Sequence, residues 1–289
     1  MTPGITGRTR LYGLVGHPVR HSLSPAMHNE LFRRKRIDSI YAAFDVPPGA
    51  AGSVAGAIRT LGLAGVNLTV PFKEAVLPDL DACSADARLA GAVNVVIREE
   101  GALVGHNTDG IGYLRALREE LGVEPAGARV AILGAGGTAR AVAAALATAG
   151  AMSVTFLNRT QARAVAACEA LGAGLEGRFP CRFAEVGLTP AAWSALAPGL
   201  DLVVNCTSGG AAATVASLDI RGLRPGSTWT DANYWMSDPP QLMQCAGRGV
   251  RIQRGMGMLV YQGAESFRLF TDVTVDADTV RGVLDLGGW

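Results

Sequence analysis

The chain has 289 residues, enough to bury one large core or two ordinary ones without disulfides or structural metal. Apolar residues make up 49% and charged residues 18%, which excludes intrinsic disorder. A balance of 26 basic against 25 acidic residues excludes a dedicated nucleic-acid binder, which needs a basic surplus to displace counterions.

The first third alternates β-like runs at 11–15, 40–46, 65–70 and 92–97 with helical patterns. Between the first two, Ser24-Pro25 reads as an N-cap followed by proline at the first helical position. Met27 and Leu31 give that helix an apolar face. Arg33-Arg34-Lys35-Arg36 falls at its C-terminal end, where positive charge suits the dipole, and reads as a solvated helix end. Ile111, Leu114, Leu117 and Leu121 recur at helical spacing until Gly122 and Pro125. A second module comes next, with strands at 129–133, 153–157, 200–205 and 227–231 and helices opening near Gly137 and Gln161. Residues 256–286 read as two helices. Strands alternating with helices imply an α/β protein with parallel strands and helical crossovers.

The cysteines, Cys83, Cys168, Cys181, Cys206 and Cys245, are odd in number, far apart and without a Cys-x-x-Cys pair. That pattern speaks for a reducing compartment and against a disulfide framework or a metal site. The N-terminal stretch lacks the apolar segment of a signal peptide, and the uncharged run from Arg140 to Arg159 is alanine-rich, as in a buried helix-turn-strand. A soluble cytoplasmic protein is expected, with neither membrane nor nucleic acid as partner.

Two groups of residues carry chemistry. The first is the loop Gly134-Ala135-Gly136-Gly137-Thr138 between a strand and a helix. One glycine of such a loop makes the tight turn, another lets backbone N–H groups approach a pyrophosphate, and the helix N-terminus supplies positive dipole. The third glycine of the usual fingerprint is Ala139 here, so the strand–loop–helix context carries more weight than the letters. The end of the next strand chooses the cofactor. A carboxylate there holds the ribose 2′-OH of NAD, whereas this chain has Asn158-Arg159-Thr160 with Arg163 one turn on. Guanidinium forks suit a phosphate monoester, so NADP is expected.

The second group lies in the first third. His21, Ser22 and Ser24 precede a helix, where backbone N–H groups favour an anion such as a carboxylate. Asn67 and Thr69 share one strand face, and Lys73 lies just past Pro71. Asn107-Thr108-Asp109 leads into the Ile111 helix. A ketone reduced to an alkoxide needs a proton donor, and a Lys73–Asp109 pair is an acid/base unit of that kind. Spacing alone equally allows a surface lysine and a helix N-cap.

The chain resembles shikimate dehydrogenases over nearly its whole length. The resemblance is carried, in order, by Gly16-x-Pro18-x-x-His21-Ser22-x-Ser24-Pro25-x-x-His28-Asn29, Asn67-x-Thr69-x-Pro71-x-Lys73, Gly91-Ala92-Val93-Asn94, Asn107-Thr108-Asp109, Gly134-Ala-Gly-Gly137, Asn158-Arg159-Thr160, Asn205-x-Thr207-Ser208-x-Gly210 and Gly257-Met258-Leu259-Val260-x-Gln262. It implies reversible, NADPH-linked reduction of 3-dehydroshikimate to shikimate in aromatic amino-acid biosynthesis. It further implies two domains whose cleft closes on the reactants: a discontinuous α/β substrate domain, 1–109 plus 255–289, and an inserted Rossmann-type NADP domain, 110–254. By the same resemblance Ser22 and Ser24 bind the substrate carboxylate. Asn67, Thr69, Asn94, Asp109, Tyr234 and Gln262 bind the ring, and Lys73 is the acid/base with Asp109 as partner. Gly134, Ala135, Gly136, Gly137 and Thr138 hold the pyrophosphate. Asn158, Arg159, Thr160 and Arg163 hold the 2′-phosphate, and Asn205, Thr207, Ala232 and Gly255 lie at the nicotinamide end. Monomers and homodimers both occur in such a family.

The chain departs from that pattern in three places. Val95 stands where a threonine usually follows the asparagine, Trp235-Met236-Ser237-Asp238-Pro239 replaces a proline- and threonine-bearing stretch, and Arg254 stands where an acidic or small polar residue is common. Quinate or aminoshikimate oxidation within the same family, and a non-catalytic sensor of the same ligands, are the alternatives.

Overall fold

The computed structural model describes residues 4–234, 240–245 and 247–286. The chain divides into two compact units, Met1–Thr108 with Val260–Trp289 and Asp109–Leu259. These divisions fall at 108/109 and 259/260, against the expected 109/110 and 254/255. Asp109 is the first residue of a helix in the second unit, and the next residue, Gly110, lies against the Ala141 backbone of that same unit.

In the first unit β1 (Arg10–Gly16), β2 (Ser39–Asp45), β3 (Gly65–Leu68), β4 (Ala82–Cys83), β5 (Val95–Glu99) and β6 (Ala102–His106) form one sheet in the order β2-β1-β3-β5-β6-β4. Helices α1 (Ser24–Lys35), α2 (Val54–Thr60), α3 (Phe72–Ala75) and α4 (Ala85–Ala90) connect them. β1 runs parallel to β2 and β3, but β5 is antiparallel to both β3 and β6. The sheet is therefore mixed rather than all parallel. Glu100 (φ 48°) and Gly101 (φ 93°) both take positive φ and join β5 to β6 as a tight hairpin, too short for a helical crossover. The run expected at 92–97 starts pairing only at Val95, and β6 was not anticipated from its mixed Ala-Leu-Val-Gly-His pattern.

β3 also stops two residues early. Phe72 N donates to Thr69 O at 2.8 Å, which turns the chain into α3, so Lys73 lies on a short helix rather than on a strand's end. Phe72 is buried with Val15, Leu68, Val76, Val96 and Leu103 in the apolar cluster beneath this turn. The basic run closes α1 as expected: Glu30 accepts from Arg33 and Arg34, and the Arg33 bond foremost holds its carboxyl down at about 2.

The second unit contains β7 (Arg129–Leu133), β8 (Ser153–Asn158), β9 (Arg182–Gly187), β10 (Leu202–Asn205), β11 (Thr228–Asp231) and β12 (Arg251–Gln253), all paired in parallel in the order β12-β11-β10-β7-β8-β9. Counted within the unit, that is the doubly wound Rossmann order, with the switch point between β7 and β10. Its helices are α5 (Asp109–Leu121), α6 (Gly137–Thr148), α7 (Gln161–Leu175), α8 (Pro190–Leu196), α9 (Ala212–Ala216) and α10 (Pro240–Cys245). The two strands not anticipated, β9 and β12, are the sheet edges. Both carry charged or polar residues, Arg182 and Glu185 in one, Arg251 and Gln253 in the other, that mask a buried-strand pattern. The core of this unit gathers Ala131, Leu133, Leu157, Trp193, Val203 and Trp229.

The C-terminal pattern forms α11 (Met256–Thr271) and α12 (Ala277–Leu286). From Val260 onward these belong to the first unit. Tyr12 Oη donates to Phe270 O at 2.8 Å, and Gly263 leaves room only for Met27. Among the described residues no helix is long and apolar enough to cross a membrane.

Candidate functional site

In the first unit the expected residues gather near the C-terminal ends of β1 and β3. Ser24 is the first residue of α1 and not its N-cap. Leu23 occupies the cap position without a side-chain bond, and Ser22 Oγ accepts the Ser24 N–H at 3.2 Å. The capping expectation for Ser24 is thus corrected: the helix begins one residue earlier than expected, so Leu23 takes the cap position, Ser24 becomes the first helical residue, and the Ser22 hydroxyl meets its N–H. Ser22 is half-buried and Ser24 buried. Lys73 is half-buried on α3, and its carbonyl accepts from Val93 N at 2.7 Å, which ties the lysine's turn to the segment bearing Asn94. Thr69 and Gln262 are half-buried.

Asn67 and Asn94 are buried and belong to one hydrogen-bonded network. Tyr41 Oη donates to Asn67 Oδ1 at 2.8 Å, and Asn67 Nδ2 donates to Asn94 O at 3.2 Å and to Ser266 Oγ at 3.1 Å. Asn94 Nδ2 donates to Thr108 Oγ1 at 2.9 Å while its Oδ1 accepts Thr108 N–H at 2.8 Å, and Thr108 Oγ1 lies 3.2 Å from Ser266 Oγ. Tyr41 and Ser266 were not anticipated, and Thr108 was named only within the Asn107-Thr108-Asp109 motif, without a role. One signal was present for Ser266: it lies four residues after Gln262, on the same face of the helix. Behind Tyr41, the His28 ring stacks at 4.6 Å and 18° within a cluster of Phe32, Phe267 and Phe270. Burial in that apolar surround drives its pKa down to about 3, so the imidazole is neutral.

In the second unit Gly134 follows β7 with φ 103°, and an added Cβ would lie 3.0 Å from Cys206 O, just after β10. The turn therefore lies at the switch point, pressed against the chain that carries Asn205 and Thr207. Ala135 is buried. Gly136 is extended before α6, no side chain caps the helix from that position, and Gly137 opens it. An uncapped helix start with its N–H groups and positive dipole is the part of the fold that takes an anion. Thr138 Oγ1 donates to Asp109 Oδ2 at 3.0 Å, which orients the buried Asp109 carboxylate.

At the end of β8, Asn158 Nδ2 donates to Thr160 O at 2.8 Å and Thr160 caps α7 without a side-chain bond. Arg159 Nη1 reaches Gly210 O at 3.3 Å, and the Arg163 guanidinium extends back to within 3.9 Å of where a Gly136 Cβ would be. The donor set fits the cofactor expected: a glycine turn for the pyrophosphate, and guanidinium groups in place of a carboxylate beside the next strand.

Asn205 Oδ1 accepts Thr207 N at 3.1 Å and Thr207 Oγ1 at 2.7 Å, and its Nδ2 donates to Asp231 Oδ2 at 2.8 Å. Asp231 Oδ1 accepts Asn233 N at 2.7 Å, and Ala232 N donates to Asn205 O at 2.9 Å. Burial raises the Asp231 pKa against the opposing pull of its Asn233 and Asn205 bonds. Asp231 and Asn233 were also not anticipated. Gly255 packs on the backbone of Asn233 and Tyr234 with no room for a side chain, and Tyr234 is half-buried. The departure at Trp235–Pro239 lies outside the described residues.

Comparison with known proteins agrees with this arrangement. Residues 14–96 match the shikimate dehydrogenase substrate binding domain, 117–178 the shikimate / quinate 5-dehydrogenase family, and 255–284 the shikimate 5'-dehydrogenase C-terminal domain. A shikimate dehydrogenase (NADP(+)) from Moorella thermoacetica is 44% identical over 92% of this chain and 90% of its own. The structure of shikimate 5-dehydrogenase from Thermus thermophilus in complex with NADP(H) and shikimate aligns with a TM-score of 0.81 at 34% identity, covering 96% of this chain and 99% of the other. That from Listeria monocytogenes in complex with shikimate and NAD aligns with a TM-score of 0.86 at 32% identity, covering 98% and 99%. A mixed-sheet unit with a buried amide network, a Rossmann unit with arginine beside its second strand, and matches along nearly the full length all lead to one conclusion: the chain belongs to the shikimate dehydrogenase family.

Proposed function

We propose that the chain is an NADP-dependent shikimate dehydrogenase, an oxidoreductase that reversibly reduces 3-dehydroshikimate to shikimate. The observation that carries this reading is the buried pair Asn67 and Asn94. The end of a sheet has no packing need for two amides held in a hydroxyl network, and they occur in a chain whose relatives of comparable length carry that activity by name.

Ser22 and Ser24 hold the substrate carboxylate near the start of α1. Asn67, Thr69, Asn94, Asp109, Tyr234 and Gln262 bind the ring. Lys73 gives a proton to the substrate oxygen as the ketone becomes an alcohol and takes it back in the reverse direction, with Asp109 as its partner. Gly134 to Thr138 hold the cofactor pyrophosphate, Asn158, Arg159, Thr160 and Arg163 its 2′-phosphate, and Asn205, Thr207, Ala232 and Gly255 its nicotinamide end. NADP, when bound, supplies the two-electron redox chemistry.

One observation keeps quinate as the second substrate to test: Val95, fully buried beside Asn94, removes a hydroxyl from this region. Shikimate and quinate, each measured with NADP and with NAD by nicotinamide absorbance, separate the two. Highest kcat/KM is expected for shikimate with NADP. Binding of both ligands without turnover overturns the enzymatic reading.

A further inference from the structure

Asn67 has two donor hydrogens and two acceptor lone pairs on its side chain. Both hydrogens are used inside the first unit, one on the backbone carbonyl of Asn94 and one on Ser266 Oγ. One lone pair of Oδ1 is used by Tyr41 Oη–H. The orientation of the amide is dictated by chemistry: a backbone carbonyl has no proton, so the nitrogen must face Asn94 O, and the oxygen must then face the phenol. The second Oδ1 lone pair is the side chain's remaining capacity among the described residues.

The surroundings hold this arrangement rigidly. Tyr41 is buried and stacked on the neutral His28 ring. Ser266 is fully buried, and its hydroxyl also meets Thr108 Oγ1, which is bonded to Asn94. Losing either partner would leave a buried polar atom unpaired or free the amide to present a different group.

We propose that Tyr41 and Ser266 are positioning residues that fix the polarity of the Asn67 amide, so that it offers a substrate an acceptor and no donor and reads a hydroxyl hydrogen at that point. The inference rests on the proposed role of Asn67 in substrate binding. A ring position bearing a carbonyl, an ether or fluorine has no hydrogen to give and is rejected there. Substrate selection at this point therefore comes from two residues that need not touch the substrate.

The test uses the whole enzyme, with shikimate and with analogues in which one non-reacting hydroxyl is replaced by fluorine. Wild type is expected to lose at least ~10-fold in kcat/KM with one of these analogues, because a site built around a hydroxyl is left with an unmet acceptor. Ser266→Ala frees one Asn67 N–H. It is expected to raise KM for shikimate ~5–50-fold with kcat within ~3-fold, and to narrow the hydroxyl-over-fluorine preference ~10-fold, as expected for a lost buried hydrogen bond. Tyr41→Phe removes the donor to Oδ1 and is expected to raise KM for shikimate while leaving the preference for hydroxyl in place. Unchanged KM in both variants, or an equal loss on hydroxyl and fluoro substrates in Ser266→Ala, overturns the inference and leaves the assignment as a shikimate dehydrogenase standing. A wild-type enzyme that neither binds nor turns over shikimate overturns both.

Discussion

At the scale of single residues, the chemistry divides between proton transfer and charge recognition. Lys73 is the acid/base group of the proposed reaction, and general acid/base groups contribute ~10²–10⁴-fold. Lys73→Ala is expected to lower kcat by that factor while the thermal transition stays within a few degrees, measured by steady-state assay and by circular dichroism melting. Turnover near that of wild type removes the lysine from the mechanism. Arg159 tests cofactor choice. Among the described residues its exposed guanidinium makes a single long bond, to Gly210 O, so its removal costs the fold little. Arg159→Ala is expected to weaken NADP by ~1.5–3 kcal/mol, the range for bonds to charged groups, and NAD hardly at all. Titration of each nucleotide against protein fluorescence reads the difference, and equal losses overturn the assignment.

At the scale of elements, the turn between β7 and α6 is the proposed seat of the cofactor pyrophosphate. Gly134 combines a left-handed backbone with a close approach to Cys206, so it meets both costs of a side chain at once. Gly134→Ala is expected to destabilise the second unit by ~1–3 kcal/mol, the cost of one such strained residue, and to raise the KM for NADP. Denaturant unfolding read on Trp193 and Trp229, both buried in that unit's core, checks the first effect. Helix α1 shows the same dependence on local backbone chemistry. Proline in the first turn removes one N–H, Ser22 accepts the one just before it, from Ser24, and the two serines are thereby tied together at the start of the helix.

At the scale of the whole molecule, the chain leaves its first unit at Thr108 and returns to it at Val260. The return is held by contacts across the full sequence, among them Tyr12 with Phe270 and His28 with Phe267. His28 makes this closure sensitive to pH. Its folded pKa of about 3 lies below the unfolded value of 6.5, so the unfolded chain binds a proton that the folded chain refuses. That stability is fully present above pH ~6.5 and is lost as pH falls toward 3, at ~1.4 kcal/mol per unit and so ~2 kcal/mol by pH 5. The wild-type protein is expected to lose that much more than His28→Phe between pH 7.5 and 5, read from urea midpoints of the first unit. Equal losses in both proteins would show that other groups carry the acid sensitivity.

The sequence by itself determined the features that local chemistry dictates. Val130 to Leu133 is an uninterrupted apolar run that must be a buried strand, the glycines after it demand a turn, and Asn158-Arg159-Thr160 names the cofactor because a carboxylate is missing. The motifs around Ser22, Lys73 and Asp109 left their roles open by spacing, and the ordered resemblance to shikimate dehydrogenases named the candidate chemistry. Tertiary structure decided the rest, for two physical reasons. Edge strands such as β9 and β12 are half-solvated, so their hydrophobic pattern is too weak to read before a neighbour is known to pair with them. The partners of a buried amide are set by the path of the chain: Asn67 finds Tyr41 and Ser266 at separations of 26 and 199 residues, which no local pattern encodes.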